Sequence, residues 1–394
     1  MRIGFFADTY LPTLGGLENS MESFRVNLEK LGHEVFIYAP FFPGYADTHP
    51  RVFRLASLRI RQRPEIRFAF PIIRSGPSRR LGDQRLDIVH THTDYSMRML
   101  ARRVAERQHI PTVHTHHSHY QELARVYHGT ARAAMKLMHW NAIRLARRTD
   151  ATIAPSTKVK QMLVQEGITR PVTILPTGVD TDLFAQTNDG ESTARDLKQQ
   201  LGITKETHVL LFVGRIGEEK NIEFLLSLQK RIAASRDDTL LLIVGDGPHL
   251  ETIKRLALRE AVPRVQFTGR IPHQELAPYY HLADLFVFAS HTETQGLVIL
   301  EAMAAGLPAV ALHDEAFLDI IASGTNGILV SDGSMETFLQ EALALLNDSR
   351  RRQQFAESAR KTAESFSEKA QAKKLVRLYE TVRLNKSHPA PYEQ

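Results

Sequence analysis

At 394 residues and 43% hydrophobic content, the chain is long enough for two α/β domains, each with its own core. It has no cysteine, which excludes disulfides, thiolate metal sites and cysteine nucleophiles and fits a reducing cytoplasm. The net charge of +6 is modest but unevenly placed, and no apolar run approaches the roughly 20 residues that span a bilayer.

The opening Met1-Arg-Ile-Gly-Phe-Phe-Ala-Asp8 reads as a first strand and not as a signal peptide. A loop over 8–16 ends in Gly15-Gly16, a helix is predicted over 18–31 with Gly32 closing it, and a second strand over 33–39 stops at Pro40. This β–Gly loop–α–β order opens a doubly wound domain. Gly15 and Gly16 either let a ligand approach the backbone or satisfy turn geometry alone.

Residues 51–85 differ in character. Arg51, Arg54, Arg59, Arg61, Arg63, Arg67, Arg74, Arg79, Arg80 and Arg85 stand against only Glu65 and Asp83, and Phe53, Leu58, Ile66, Phe68 and Ile72 lie between them. Arginines among apolar anchors suit an anionic membrane surface, each contributing on the order of 1 kcal/mol. The other readings are strands and loops with solvated arginines, or a nucleic-acid surface, for which no binding motif is present.

A strand over 87–90 continues into Thr91-His-Thr93, a helix follows over 94–108, and the strand at 110–114 runs into His114-Thr-His-His-Ser-His119. Histidines therefore collect at the C-terminal strand ends, the ligand edge of an α/β sheet. One reading is a metal held by neutral imidazoles; the other is a polar substrate pocket with one working histidine. Consecutive histidines in an irregular segment are poorly pre-organised for zinc. A long helix over 120–148 ends in Arg144, Arg147 and Arg148 and adds to the basic character of this half. After the strand at 150–154, Ser156 caps another helix. The polar stretch 185–206 reads as a linker and domain boundary.

A second α/β series begins at 208–213. Its strands end in glycine loops: Gly214-Arg-Ile-Gly-Glu-Glu-Lys-Asn221, Gly245-Asp-Gly-Pro248 and Gly269-Arg270. Each loop presents N–H groups at a helix start, and Arg215 and Lys220 add fixed positive charge, a combination suited to a diphosphate. Neither G-x-G-x-x-G nor G-x-x-x-x-G-K-[ST] occurs, which argues against a dinucleotide enzyme or a P-loop NTPase. A strand at 285–290 then leads to His291-Thr-Glu-Thr-Gln-Gly-Leu297, and a helix over 297–305 is stopped by Gly306 and Pro308. Glu293 thus sits on the turn and Glu301 one to two turns into the helix, with a phosphate seat at Thr294–Leu297 between them. Spacing alone leaves two readings open: carboxylates holding the sugar and ribose of a nucleotide-sugar, or a strand–turn–helix with two solvated glutamates. Helices over 336–347, 349–366 and 367–384 complete the pattern, and the tail 385–394 is polar.

Taken together, Gly15-Gly16, Pro176-Thr-Gly-Val-Asp180, Val213-Gly-Arg-Ile-Gly-Glu-Glu-Lys-Asn221, Val244-Gly-Asp-Gly-Pro248 and Glu293-x7-Glu301 resemble the family 4 glycosyltransferases, over nearly the whole chain. The resemblance implies a retaining enzyme of GT-B architecture: two Rossmann-like domains facing a cleft, the acceptor domain over 1–182 joined by the C-terminal helix 367–394, and the nucleotide-sugar domain over 183–366. By position, Arg215 and Lys220 clamp the diphosphate and Glu301 binds the ribose. The backbone at Arg270 and Ile271 meets the base, and Gly15, Gly16, Gly214 and Gly245 line the donor. Glu293 with Thr294, Gln295, Gly296 and Leu297 holds the transferred sugar, and His117 is the histidine beside it. Relatives carry Phe-Gly where this chain has Gln295-Gly296. Thr292-Glu-Thr-Gln-Gly296, Asp8-Thr-Tyr-Leu-Pro12 and Asp87-Ile-Val-His-Thr-His92 are similar to the branch that glucosylates diacylglycerol. That branch binds membranes through a basic segment of its first domain, here with Arg59, Arg61, Arg63, Arg67, Arg74, Arg79 and Arg80 facing the lipid.

The implied reaction has a loosened, oxocarbenium-like sugar attacked by the acceptor on the face the diphosphate leaves. The cations and helix N–H groups take up the charge of the leaving group, and His117 polarises groups near the sugar. The implied partners are a nucleotide-sugar, UDP-glucose by family, a lipid acceptor and the anionic inner face of the cell membrane, with no nucleic acid, no cofactor and no required metal. The competing readings are a soluble transferase acting on a sugar, polyol or polysaccharide, and a non-catalytic membrane- or nucleic-acid-binding protein on the same scaffold.

Overall fold

The computed structural model describes residues 1–13, 15–60, 63–69, 84–94, 96–117, 129–185, 188–290 and 292–387. Two series of short apolar runs become two parallel sheets, because strands covered on both faces must be apolar nearly throughout. By contacts the chain divides into unit 1, Met1–Gly178 with Glu368–Gln394, and unit 2, Val179–Ser367.

In unit 1 the described strands are β1 (Arg2–Phe6), β2 (Glu34–Pro40), β3 (Val52–Leu55), β4 (Ser57–Ile60), β5 (Arg63–Ala69), β6 (Ile88–Thr91), β7 (Thr112–Thr115), β8 (Ala151–Ala154) and β9 (Val172–Ile174). The main sheet has the order β3-β2-β1-β6-β7-β8-β9, all parallel, and β4 and β5 pair separately as an antiparallel hairpin. The chain works outward from β1 in one direction and from β6 in the other, so the switch point lies between them. Around the sheet stand α1 (Gly16–Lys30), α2 (Ser96–Gln108), α3 (Gly129–Ala146) and α4 (Thr157–Gln165). The last helix of the chain, Glu368–Ser387, also belongs here. Its Ala372, Leu375 and Tyr379 join the core of Phe24, Leu28 and Ile37, and Glu368 accepts from Asn27 Nδ2 at 2.9 Å.

Unit 2 holds β10 (His208–Val213), β11 (Thr239–Val244), β12 (Val265–Gly269), β13 (Leu285–Phe288), β14 (Ala309–Leu312) and β15 (Gly327–Val330), in the parallel order β12-β11-β10-β13-β14-β15. Its switch point is between β10 and β13. Within the stretch read as a linker over 185–206, a helix instead spans Asn188–Gln200, and Ala194, Leu197 and Leu201 pack into the core of this unit. Their spacing is helical, but polar neighbours mask it. The units part at Gly178, where Val179 N–H donates to the Phe366 carbonyl at 3.0 Å. Among the described residues, no helix is long and apolar enough to cross a membrane.

Candidate active site

In unit 2 the three glycine loops form one platform. Gly214 N–H donates to Val244 O at 3.0 Å, Ile216 N–H to Asp246 O at 2.9 Å, and Gly245 N–H to Gly269 O at 2.9 Å. A Cβ on Gly245 would stand 1.9 Å from the Gly214 carbonyl oxygen, so glycine is needed there for backbone contact between the β10 and β11 loops. That requirement holds with or without a ligand.

The loops after β10 and β13 leave the sheet on either side of the switch point and carry the charged residues singled out above. Lys220 ends the short 3-10 turn Glu218–Lys220, and its ammonium contacts the Glu293 carboxylate directly. The same ammonium lies 5.7 Å from the centre of the Phe288 ring, a cation–π position on the last residue of β13. Glu293 is fixed in turn by its own N–H, which donates to Asp314 Oδ2 at 3.3 Å. Arg215 is more exposed and pairs with Glu219.

Helix α9 (Leu297–Ala305) starts directly after this loop, with no side-chain cap on its first turn. Gly296, which precedes it, has φ +84°, and a Cβ there would meet the Phe317 ring at 2.8 Å, so it is required twice over. Gln295 is buried, and Thr294 and Leu297 are half-buried beside it. Glu301 is buried along α9, where Oε2 accepts from Tyr280 OH at 2.7 Å and Oε1 meets His273 Nε2 at 3.1 Å. Burial first and the Glu301 charge second push the Tyr280 phenol up, which keeps it a donor. His273 is half-exposed, so one oxygen of Glu301 is anchored from inside and the other toward the surface. Arg270 is exposed, and Ile271 packs partly against the core. The sequence reading did not find Tyr280 and His273; their only signal was proximity in the fold.

In unit 1, Gly15 and Gly16 open α1, which likewise has no side-chain cap. The histidines form a stack across the ends of β6 and β7. His90 Nδ1 meets Tyr379 OH at 2.6 Å and its Nε2 meets Thr115 Oγ1 at 2.7 Å. The His92 ring centre lies 4.0 Å from that of His90, and His92 Nδ1 is 3.3 Å from His117 Nε2. His114 Nδ1 meets Thr91 Oγ1 at 2.9 Å, and its Nε2 lies 3.2 Å from Asp94. Burial, with neighbouring imidazoles second, holds His90 and His92 well below the usual histidine range. Burial and then His114 and His116 push His117 down to about 3. These rings are therefore neutral, each offering one N–H and one lone pair. Among the described residues no group of three or more histidines and carboxylates is placed to hold a metal ion. The sequence placed His92 at the strand end; the structure adds that it orients His117.

The arginine run is of mixed character. Arg54 is a structural residue: it pairs with Asp47 at 2.7 Å, donates to the Pro40 carbonyl at 3.0 Å and lies 5.5 Å from the Tyr10 ring centre. Arg51 bonds Glu29 and Glu34. Arg59 is exposed on the hairpin, and Arg67 donates to Ser57 Oγ at 2.9 Å. Arg61, Arg74, Arg79 and Arg80, and the side chain of Arg63, lie outside the described residues.

Two family models match the chain: Glycosyltransferase Family 4 over residues 14–183 and Glycosyl transferases group 1 over residues 193–362. The chain is 31% identical over 335 residues to an alpha-monoglucosyldiacylglycerol synthase of Acholeplasma laidlawii, covering 83% of this chain and 84% of that one. It is also 31% identical over 396 residues to a GDP-mannose-dependent alpha-mannosyltransferase of Mycobacterium tuberculosis, covering 97% of each. Among solved structures, HepE of Anabaena in complex with UDP and glucose superposes with a TM-score of 0.74 at 19% identity, covering 97% of this chain and all of that one.

Proposed function

The chain belongs to the family 4 glycosyltransferases and has their GT-B fold, and from that premise we propose that it moves glucose from UDP-glucose to a diacylglycerol-type lipid at the inner face of the cell membrane, with retention of configuration. The observation that carries this reading is the meeting of Lys220 and Glu293 at the switch point of unit 2, beside the uncapped start of α9.

Without donor, cation and carboxylate satisfy one another. A nucleotide-sugar exchanges that contact for two of its own: Lys220 turns to the diphosphate and Glu293 to sugar hydroxyls. Arg215 and the α9 N–H groups supply the rest of the positive field, so departure of the diphosphate needs no metal. Glu301, held from inside by Tyr280, takes the ribose by giving up its bond to His273. In unit 1 the neutral His117 ring offers one hydrogen-bond donor and one acceptor, the chemistry that orients a hydroxyl. The leaving phosphate accepts the proton of the attacking hydroxyl.

The lipid acceptor is supported by the name of the Acholeplasma relative, and the UDP donor by the ligands of HepE. A second donor, GDP-mannose, is favoured by the near-complete coverage of the mycobacterial relative. The test is a panel of UDP-glucose, UDP-galactose and GDP-mannose with diacylglycerol in anionic vesicles, read by product mass and anomeric configuration. Glucosylation with the α configuration is expected. A soluble acceptor glycosylated while diacylglycerol stays untouched overturns the lipid reading.

A further inference from the structure

The Glu301 carboxylate is held from two sides that are built differently. On the inner side the Tyr280 hydroxyl, on the short helix Ala277–His281, donates to Oε2 at 2.7 Å and is itself buried. On the outer side His273, first residue of the 3-10 turn His273–Glu275, meets Oε1 at 3.1 Å. A carboxylate only accepts, so the imidazole carries its proton on Nε2 and donates it. Phe184 of the short helix Thr181–Phe184 stands edge-on to both rings, with centres 5.5 Å from His273 and 5.4 Å from Tyr280. All of these residues belong to unit 2.

Exposure decides which of the two donors yields to a ligand. Tyr280 cannot leave Oε2 without burying an unpaired hydroxyl, whereas His273 can leave Oε1 because water replaces its bond. With the imidazole in place the Glu301 side chain is 9% exposed, so little of it is open to a ligand until the ring moves. The His273 side chain is 47% exposed and has water to move into. A ligand hydroxyl therefore enters on the Oε1 side and meets the imidazole first.

We propose that His273 is a lid on Glu301 that competes with the ribose of the nucleotide and so sets how tightly every nucleotide binds. The inference rests on the donor-site reading, in which Glu301 takes the ribose, and adds an affinity-setting residue to it. The competition is the same whatever base or sugar the nucleotide carries, since UDP-glucose and GDP-mannose share the ribose. It also opposes the donor and the nucleoside diphosphate left after transfer equally, because both keep that ribose. An effect equal in substrate, transition state and product leaves the chemical barrier alone. It raises the KM for the donor and hastens departure of the spent nucleotide.

The test is calorimetric titration of the whole protein, without acceptor, with UDP, GDP and 2′,3′-dideoxy-UDP. His273→Ala is expected to bind UDP and GDP about two- to tenfold more tightly than wild type, the worth of one neutral hydrogen bond. Its affinity for dideoxy-UDP, which has no hydroxyl to displace the ring, is expected to stay at the wild-type value. His273→Gln keeps an amide that donates to Oε1 and is expected to return UDP binding toward wild type. In turnover, His273→Ala lowers the donor KM and the inhibition constant of the nucleoside diphosphate by the same factor, and kcat does not rise. A residue that merely supports the fold gives weaker binding when it is removed, so tightening separates the two roles. The proposal is overturned if His273→Ala leaves UDP affinity unchanged or weakens it, or if it tightens dideoxy-UDP as much as UDP. Wild-type protein that binds neither UDP nor GDP removes the donor-site reading and the lid with it; wild-type binding without a gain in the variant removes the lid alone.

Discussion

Replacing His92 by asparagine tests whether the histidine stack is kept neutral by burial. His90 and His92 are almost fully enclosed, and their folded pKa values lie well below the ordinary value near 6.5. A depressed histidine costs stability once pH falls below that ordinary value, because the unfolded chain then binds a proton that the folded chain refuses. At pH 5 the unfolded chain gains RT ln(1 + 10^1.5), about 2 kcal/mol for each such ring and about 4 kcal/mol for the two. Stability from this source is complete above pH 6.5 and drains away as the pH falls. Asparagine places an amide near the former Nδ1, where it still meets His117, and it does not titrate. The variant therefore loses about 2 kcal/mol less than wild type between pH 7.5 and pH 5, whatever its loss at pH 7.5. Urea unfolding followed by Trp140 fluorescence reads this difference in the unit that holds the stack. Equal losses for wild type and His92→Asn refute the argument, since they mean that the ring is protonated inside the fold or was never shielded.

Lys220→Ala is expected to lower turnover about 10²–10³-fold while the chain remains folded, and wild-type turnover in this variant removes the donor-site assignment. Tyr280→Phe leaves a buried carboxylate short of one donor; it should lower the stability of unit 2 by about 1.5–3 kcal/mol in chemical denaturation, and raise the KM for the donor through Glu301. Gly296→Ala meets both a positive φ and the Phe317 ring, whereas Gly269→Ala meets a positive φ of +74° with open space around it. Gly269→Ala should cost about 1 kcal/mol and Gly296→Ala about 1–3 kcal/mol more, a gap that thermal unfolding resolves; equal losses mean that Phe317 moves aside freely.

The glutamate element was legible because its signals are local. Leu297–Ala305 is an unbroken run of helix formers between Gly296 and Gly306, and the structure ends the helix at those residues. The glycine loops were legible as loops, but their meaning was not: Gly245 serves contact with Gly214, which depends on strand order. Strand order also decides that Lys220 and Glu293 meet, since β10 and β13 are neighbours in the sheet with two strands between them in sequence. The helix Asn188–Gln200 was read as a linker because its apolar positions are few among polar ones. The arginine run was read as one feature, yet Asp47, Glu29 and Glu34 claim Arg54 and Arg51 for the fold.

Both sheets place their chemistry at the same topological position, yet they fill it differently. The switch point of unit 2 holds a cation touching a carboxylate, and that of unit 1 holds imidazoles stripped of charge. The contrast follows from what surrounds each set of side chains. In unit 2 Lys220 and Glu293 each find an opposite charge at a place only partly open to water, which offsets the cost of taking two charged side chains out of it. In unit 1 the imidazoles stand close together, and a proton on one of them would repel a proton on its neighbours. Burying His90 and His92 behind His117 removes that repulsion while leaving a ring that still donates and accepts. A charge on His92 would break this arrangement first, at the ring nearest to His117, which is why the pH dependence of that one position tests the chemistry of the unit as well as its stability.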